Sequence, residues 1–181
     1  MSTRFPWTSG IRETRGLALL FFPLLVTGCL YSFQAGAGFP DDVNTVAILP
    51  FELGPGVNRP EITNEIFQAL LREFPRSQGL QPAGEDVADA MVRGRVTRYD
   101  QTTPSYRPGA AGQNPQVLQR QVTLVVEVEI INLKDREILW ESRNLSVQGQ
   151  YQENTETEET GRAQAIELLV QRIVDGAQSN W

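Results

Sequence analysis

From Gln121 onward the chain alternates with a period of two. Val122, Leu124, Val126, Val128 and Ile130 fall on one face, and Thr123, Glu127 and Glu129 on the other. That period belongs to a half-buried strand. Ala88 to Tyr99 repeats it, setting Ala90, Val92, Gly94 and Val96 against Arg93, Arg95 and Thr97. An earlier run, Thr45 to Phe51, is apolar and β-branched and stops at Gly54-Pro55-Gly56. It predicts a short buried first strand with Pro50 at its end or on an edge. Between these strands the period changes to that of a helix. Ile62, Ile66, Phe67, Leu70 and Phe74 make one apolar stripe. Asn58 or Arg59 caps it, Pro60 lies in its first turn, and Pro75 is expected to end it.

After Lys134-Asp135-Arg136-Glu137, a turn, Ile138 to about Tyr151 reads as the last strand. Its phase is split, because Ile138 and Trp140 share one parity while Leu145, Val147 and Tyr151 share the other. A β-bulge near Ser142 reconciles them. Thr155-Glu156-Thr157-Glu158 has the pattern of a capping box. A second helix follows, with the stripe Ile166, Leu169, Val170, Ile173 and Ala177, and Trp181 closes the chain against the core. The element order is therefore β-α-β-β-β-α. This is an α+β two-layer sandwich of about four strands, with two helices packed on one face.

The start of the chain changes the picture. Arg4, Arg12 and Arg15 precede an apolar run from Leu17 to Val26, broken only by Pro23. Basic, apolar, then small residues is the order of a secretory signal, and the run is shorter than the ~20 residues a membrane span needs. Val26-Thr27-Gly28-Cys29 resembles a lipobox, the cleavage and lipidation signature of bacterial lipoproteins. By that resemblance residues 1–28 are a lipoprotein signal peptide and Cys29 becomes an acylated first residue, anchored by three acyl chains. Residues 29–42, rich in Gly, Ala, Ser and Pro, form a tether, and residues 43–181 form one periplasmic domain. Leu30 follows the cysteine where an Asp would oppose outer-membrane sorting in enterobacterial lipoproteins.

Charge and composition exclude more than they assign. The 181 residues carry a formal net charge of −6, and residues 1–28 contribute three Arg against one Glu, so the remainder is more acidic still. That argues against a nucleic-acid binder. There is no histidine, which removes the commonest general base and metal ligand, and the single cysteine forbids an intramolecular disulfide. No phosphate-binding glycine loop, calcium-loop spacing or Ser-His-Asp set occurs, so no catalytic residue, cofactor or metal is expected. Glu127 and Glu129 are read as cross-strand partners of Arg93 and Arg95, each pair worth roughly 0.2–1 kcal/mol. Asp100 to Gln119 is punctuated by Pro and Gly and reads as a long loop.

The ordered set of GCLYSF, TVAILPF before a helix, ADAMVRGRVTRY, QVTLVVEVEIINLKDREILWESR and a C-terminal helix ending in Trp181 resembles the lipopolysaccharide-assembly lipoprotein family LptE. The resemblance spans nearly all of the chain after Cys29. It implies a non-enzymatic, lipid-anchored protein at the periplasmic face of the outer membrane. Such a protein plugs and helps to assemble an LptD-like barrel and meets lipopolysaccharide in transit to the outer leaflet. It further implies a lipopolysaccharide-contacting arginine between the second and third strands. Ser105-Tyr106-Arg107-Pro108-Gly109 offers that setting, making Tyr106 and Arg107 candidate contacts for lipopolysaccharide or the partner, with Arg120 just beyond. A second basic contact found before the last helix in some members has no counterpart, since Gln148, Gln150, Glu153 and Glu156 occupy that region. The alternative is a periplasmic lipoprotein that activates a cell-wall synthase or helps to form a secretion pore.

Overall fold

A computed structural model describes residues 39–107 and 116–179, and for 105–107 and 116–118 the backbone alone. Cys29, the signal, most of the tether, the segment 108–115 and Trp181 lie outside the described residues. Eight elements follow one another: β1 (Thr45–Ile48), β2 (Glu52–Leu53), α1 (Pro60–Gln78), β3 (Gln81–Pro82), β4 (Ala90–Arg107), β5 (Gln116–Asn132), β6 (Glu137–Tyr151) and α2 (Glu158–Ser179). The strands form one sheet in the order β3-β1-β4-β5-β6, with β2 pairing β4 beyond the end of β1. β1 runs parallel to β3 and β4, while β4, β5 and β6 form an antiparallel meander.

The mixed α+β class with two helices holds, but six strands replace the expected four. β2 and β3 are two residues each, too short to show any period in sequence. The expected loop from Asp100 to Gln119 is also corrected, because β4 continues to Arg107 and β5 begins at Gln116. Gln101 to Pro104 are all exposed, so no apolar alternation marks this stretch; the strand is carried by main-chain pairing of Gln101 and Thr102, taken up again at Ser105 after a register shift.

Inside the sheet the expected phases are met. Val92, Val96, Leu124, Val126, Val128 and Ile130 are buried, in one cluster with the stripes of both helices. Both helices therefore cover the same face. β6 resolves its split phase with two register shifts, one opposite Val126/Val128 beside Ser142 and one opposite Ile130/Ile131. The second shift was not foreseen. It turns Leu139 into the core and leaves Ile138 half exposed.

Arg59 is the N-cap of α1, without a side-chain bond, and Pro60 follows it as expected. Pro75 does not end the helix. It lies in the last turn, and the stop comes at Gly79, whose φ of 69° is left-handed. The Gly79 N–H then reaches the Arg76 carbonyl at 3.4 Å and the Leu80 N–H reaches that of Pro75 at 2.9 Å. This reciprocal pair is a Schellman closure, which needs glycine because a side chain disfavours positive φ.

α2 lies against β6 at unusually short range. A methyl group on Gly149 would overlap the carbonyl of Gly161, and one on Gly161 would come 2.7 Å from the Tyr151 ring. Further along, a methyl on Gly176 would strike the Trp140 indole. The supposed capping box ahead of α2 is not formed. Glu158 turns to other partners, and it is Glu156 that accepts from the Gln152 N–H at 2.6 Å.

Candidate functional site

The meander has unequal strands. β6 ends at Tyr151, opposite Arg120, while β4 and β5 stay paired as far as Arg107 with Gln116. Beyond Arg120 they form a two-stranded ribbon that no third strand extends among the described residues. Tyr106 and Arg107 take the last two paired positions of β4, opposite Val117 and Gln116. Arg120 belongs to the ribbon's base, about four residues of β5 or ~13 Å away at 3.3 Å per residue. There its guanidinium holds both carboxylate oxygens of Glu153, with Nη2 to Oε1 at 2.9 Å. The bond from Glu153 raises the Arg120 pKa, so this cation is permanent and already paired. The backbone thus separates Arg120 from Tyr106 and Arg107.

Where the ribbon joins the body, five side chains from three elements meet. The Tyr99 hydroxyl donates to Glu158 at 2.6 Å, and Arg162 holds Glu65 through two bonds of 2.8 and 2.9 Å. Arg162 also lies 3.7 Å from Glu158, and Arg59 reaches Glu158 at 3.3 Å while its guanidinium covers the Tyr99 ring at 5.8 Å. This knot ties α1 and α2 to β4. Burial, then the bond to Glu158, pushes the Tyr99 pKa well up. Burial alone would raise Glu158, but bonds from Tyr99 and Gln101 and the charges of Arg59 and Arg162 outweigh it and hold the carboxyl below its usual range. Sequence reasoning missed the knot. The available signal was Arg162 itself, four residues before Ile166 and so on the buried stripe of α2.

A second clamp sits at the opposite end of β4. Asp89 accepts from the N–H groups of Asn44 and Thr45 at 3.0 Å each, from the Thr45 hydroxyl at 2.8 Å, and pairs with Lys134 at 3.0 Å. The Asn44 bond first, then Lys134, drives its pKa far below the ordinary value. Lys134 also binds the Asp42 carbonyl. The start of β1 and the β5–β6 turn are therefore locked to one carboxylate.

The sheet face away from the helices carries a charge ladder. Arg93 bonds Glu129 at 2.8 and 3.0 Å, as the alternation suggested. Arg95 stands opposite Glu127 in register but bonds Glu52 of β2 at 2.7 Å. An open groove of about 520 Å³ follows the ladder, lined also by Leu49 and Pro50. A second groove, of about 740 Å³, runs between α1 and α2 over Ala69, Ile166, Val170 and Val174. Among the described residues no three potential ligands gather at a metal-like site, and no helix is long and apolar enough to cross a membrane.

The family model described as LptE, lipopolysaccharide-assembly, matches residues 43–176. No curated protein gives a significant match. Among solved structures the chain is similar to a lipoprotein from Neisseria meningitidis, at 14% identity and a TM-score of 0.42, over 73% of this chain and 96% of that one. It is similar to a minor lipoprotein from Acinetobacter baumannii at 17% identity and 0.44, over 78% and 95%. A PelC dodecamer from Paraburkholderia phytofirmans gives 12% and 0.43, over 71% and 86%.

Proposed function

The chain belongs to the lipopolysaccharide-assembly family LptE, and from that membership we propose that it plugs and helps to assemble an LptD-type outer-membrane barrel during lipopolysaccharide transport. The observation that carries this reading is the extent of the match, which runs from the approach to β1 into the last turns of α2 and so takes in every described element. The lipobox-like stretch before Cys29 supports a lipid anchor at the periplasmic face of the outer membrane. The projecting β4–β5 ribbon supports insertion into a lumen, since it extends past the body and exposes both its faces at Gln101 to Pro104.

In this reading Arg107, at the ribbon's end, meets lipopolysaccharide phosphate, for which a guanidinium supplies a forked, charge-assisted donor set. Tyr106 flanks it. Arg120 serves the base of the ribbon, through Glu153. The protein binds and positions, and no catalytic step is asked of it. The test is purification of the affinity-tagged, full-length chain from detergent-solubilised outer membranes. A stoichiometric barrel of LptD type, with bound lipopolysaccharide, is the expected companion. A chain recovered from that fraction without a barrel overturns the reading.

A further inference from the structure

The edge of β4 that faces away from β5 changes character at Val96. Up to that residue it is covered. The Val92 carbonyl accepts from the Leu49 N–H at 2.9 Å, β2 pairs with Arg95 and Val96, and the Val96 carbonyl accepts from the Gly54 N–H at 2.8 Å. Beyond Val96 no strand and no main-chain hydrogen bond occupies this edge among the described residues. β4 nevertheless continues, held from its other side by β5 through Arg98, Tyr99, Asp100, Gln101 and Thr102. A strand directs every second N–H and C=O to each side, so a row of main-chain donors and acceptors is left open here.

Two further observations give that row a shape. The first is a cleft of about 310 Å³ directly beside it, lined by Tyr99 and Gln101 of β4 and by Gly56, Val57, Asn58 and Arg59 of the loop after β2. The loop therefore stands off from the edge instead of closing on it. The second is a pair of limits. A bulge between Val96 and Arg98 marks one end, where β2 stops. Pro104, which has no N–H to offer, marks the other. Between them lie about six residues, or ~20 Å of strand. Arg98 and Asp100 pair with each other at 3.5 Å, so their charges cancel locally and do not select an ionic ligand.

We infer that the open edge of β4 from Arg98 to Thr103 receives an extended polypeptide segment of the assembly partner, added to the sheet as a further strand. The recognition is main-chain hydrogen bonding, which asks for a strand and not for a particular side-chain sequence. The cleft beside Tyr99 and Gln101 is where the first side chains of that segment sit. The exposed Arg98 and Asp100 and the proline boundary discourage unguided pairing with other edges, the usual protection of such a strand. The inference rests on the proposed partnership, because the partner's segment is presented when the barrel surrounds the ribbon.

The experiment is residue-resolved amide hydrogen exchange of residues 97–103, in the lipidated chain alone and in the complex purified from outer membranes. Strand addition slows every second amide by at least tenfold in the complex and leaves the alternate amides, already bonded to β5, unchanged. Uniform slowing means the stretch is merely covered, and unchanged rates mean it is free; either overturns the inference while the retained barrel keeps the proposed function standing. Alternating protection already present in the isolated chain, together with a dimer mass, assigns the edge to a second copy and also overturns it. A preparation without a barrel overturns the proposed function and this inference together.

Discussion

Gly149 of β6 and Gly161 of α2 touch backbone to backbone, with the Gly161 carbonyl occupying the space where a side chain on Gly149 would begin. Gly149→Ala must lift the first turns of α2 from the sheet, and the overlapped atoms belong to main chain, which cannot swing aside. Overpacking of this kind costs about 1–3 kcal/mol. Urea denaturation is expected to show that loss for Gly149→Ala. Gly84→Ala, where nothing lies within 4 Å, stays within about 0.5 kcal/mol of the parent. Equal midpoints for the two variants are incompatible with the close approach.

Arg162 is buried while its partner Glu65 stays 37% exposed, so the pair sits between the surface and interior regimes. Removing one partner of a fully buried pair costs about 3–5 kcal/mol, and exposed pairs are worth at most about 1. For Arg162→Ala the expected loss is about 2–3 kcal/mol, including the packing of its aliphatic stem. A double-mutant cycle with Glu65→Gln should give a coupling of about 1 kcal/mol. Strict additivity in that cycle removes Glu65 as the residue that holds Arg162.

How much was legible follows from which positions bury side chains. The stripes of both helices and the alternation of β5 face a core, and each was visible as a period. β4 from Asp100 to Pro104 buries neither face, so composition there reads as loop although the backbone is strand. Pro75 was a true local signal with the wrong reach, since a proline in the last turn is tolerated where the stop is supplied by Gly79. Arg95 prefers Glu52 to the facing Glu127 because two-residue β2 lies alongside, and nothing local in sequence announces so short a strand. The knot at Tyr99 required knowing that α1 and α2 converge on β4. Of the three candidate contacts, the structure places Arg120 with Glu153 and sets Tyr106 and Arg107 at the ribbon's end.

Acid should unfold the protein through two named carboxylates. Asp89 and Glu158 both hold pKa values below the ordinary range when folded. Their stabilising contribution is fully present above the unfolded values, about pH 4–5, and is lost as pH falls through the folded ones. In that window the unfolded chain binds more protons, so stability rises with pH. Asp89→Asn should be less stable at pH 7 and show a flatter decline below about pH 4, followed by circular dichroism melts. Parallel declines in parent and variant would remove Asp89 as a source of the acid sensitivity.

The two arginines of the ribbon should separate under mutation. Arg107 occupies the final pair of β4 and β5, beyond the last position that β6 reaches. That place lies outside the three-stranded part of the sheet, so Arg107→Asp is expected to leave the thermal midpoint of the isolated domain unchanged. If it contacts lipopolysaccharide phosphate at a buried interface, losing that contact and adding a like charge costs about 2–5 kcal/mol of binding. Arg120→Ala instead frees Glu153 and loosens the ribbon's base, where a solvent-screened pair contributes little. The expected pattern is at least a tenfold loss of lipopolysaccharide binding for Arg107→Asp with the barrel still co-purifying, and a change of less than about fivefold for Arg120→Ala. Shortening the segment between β4 and β5 should weaken barrel retention more than it lowers thermal stability. Should Arg107→Asp bind lipopolysaccharide as the parent does, Arg107 is not the contact, and the ribbon's role is confined to its partner-facing edge.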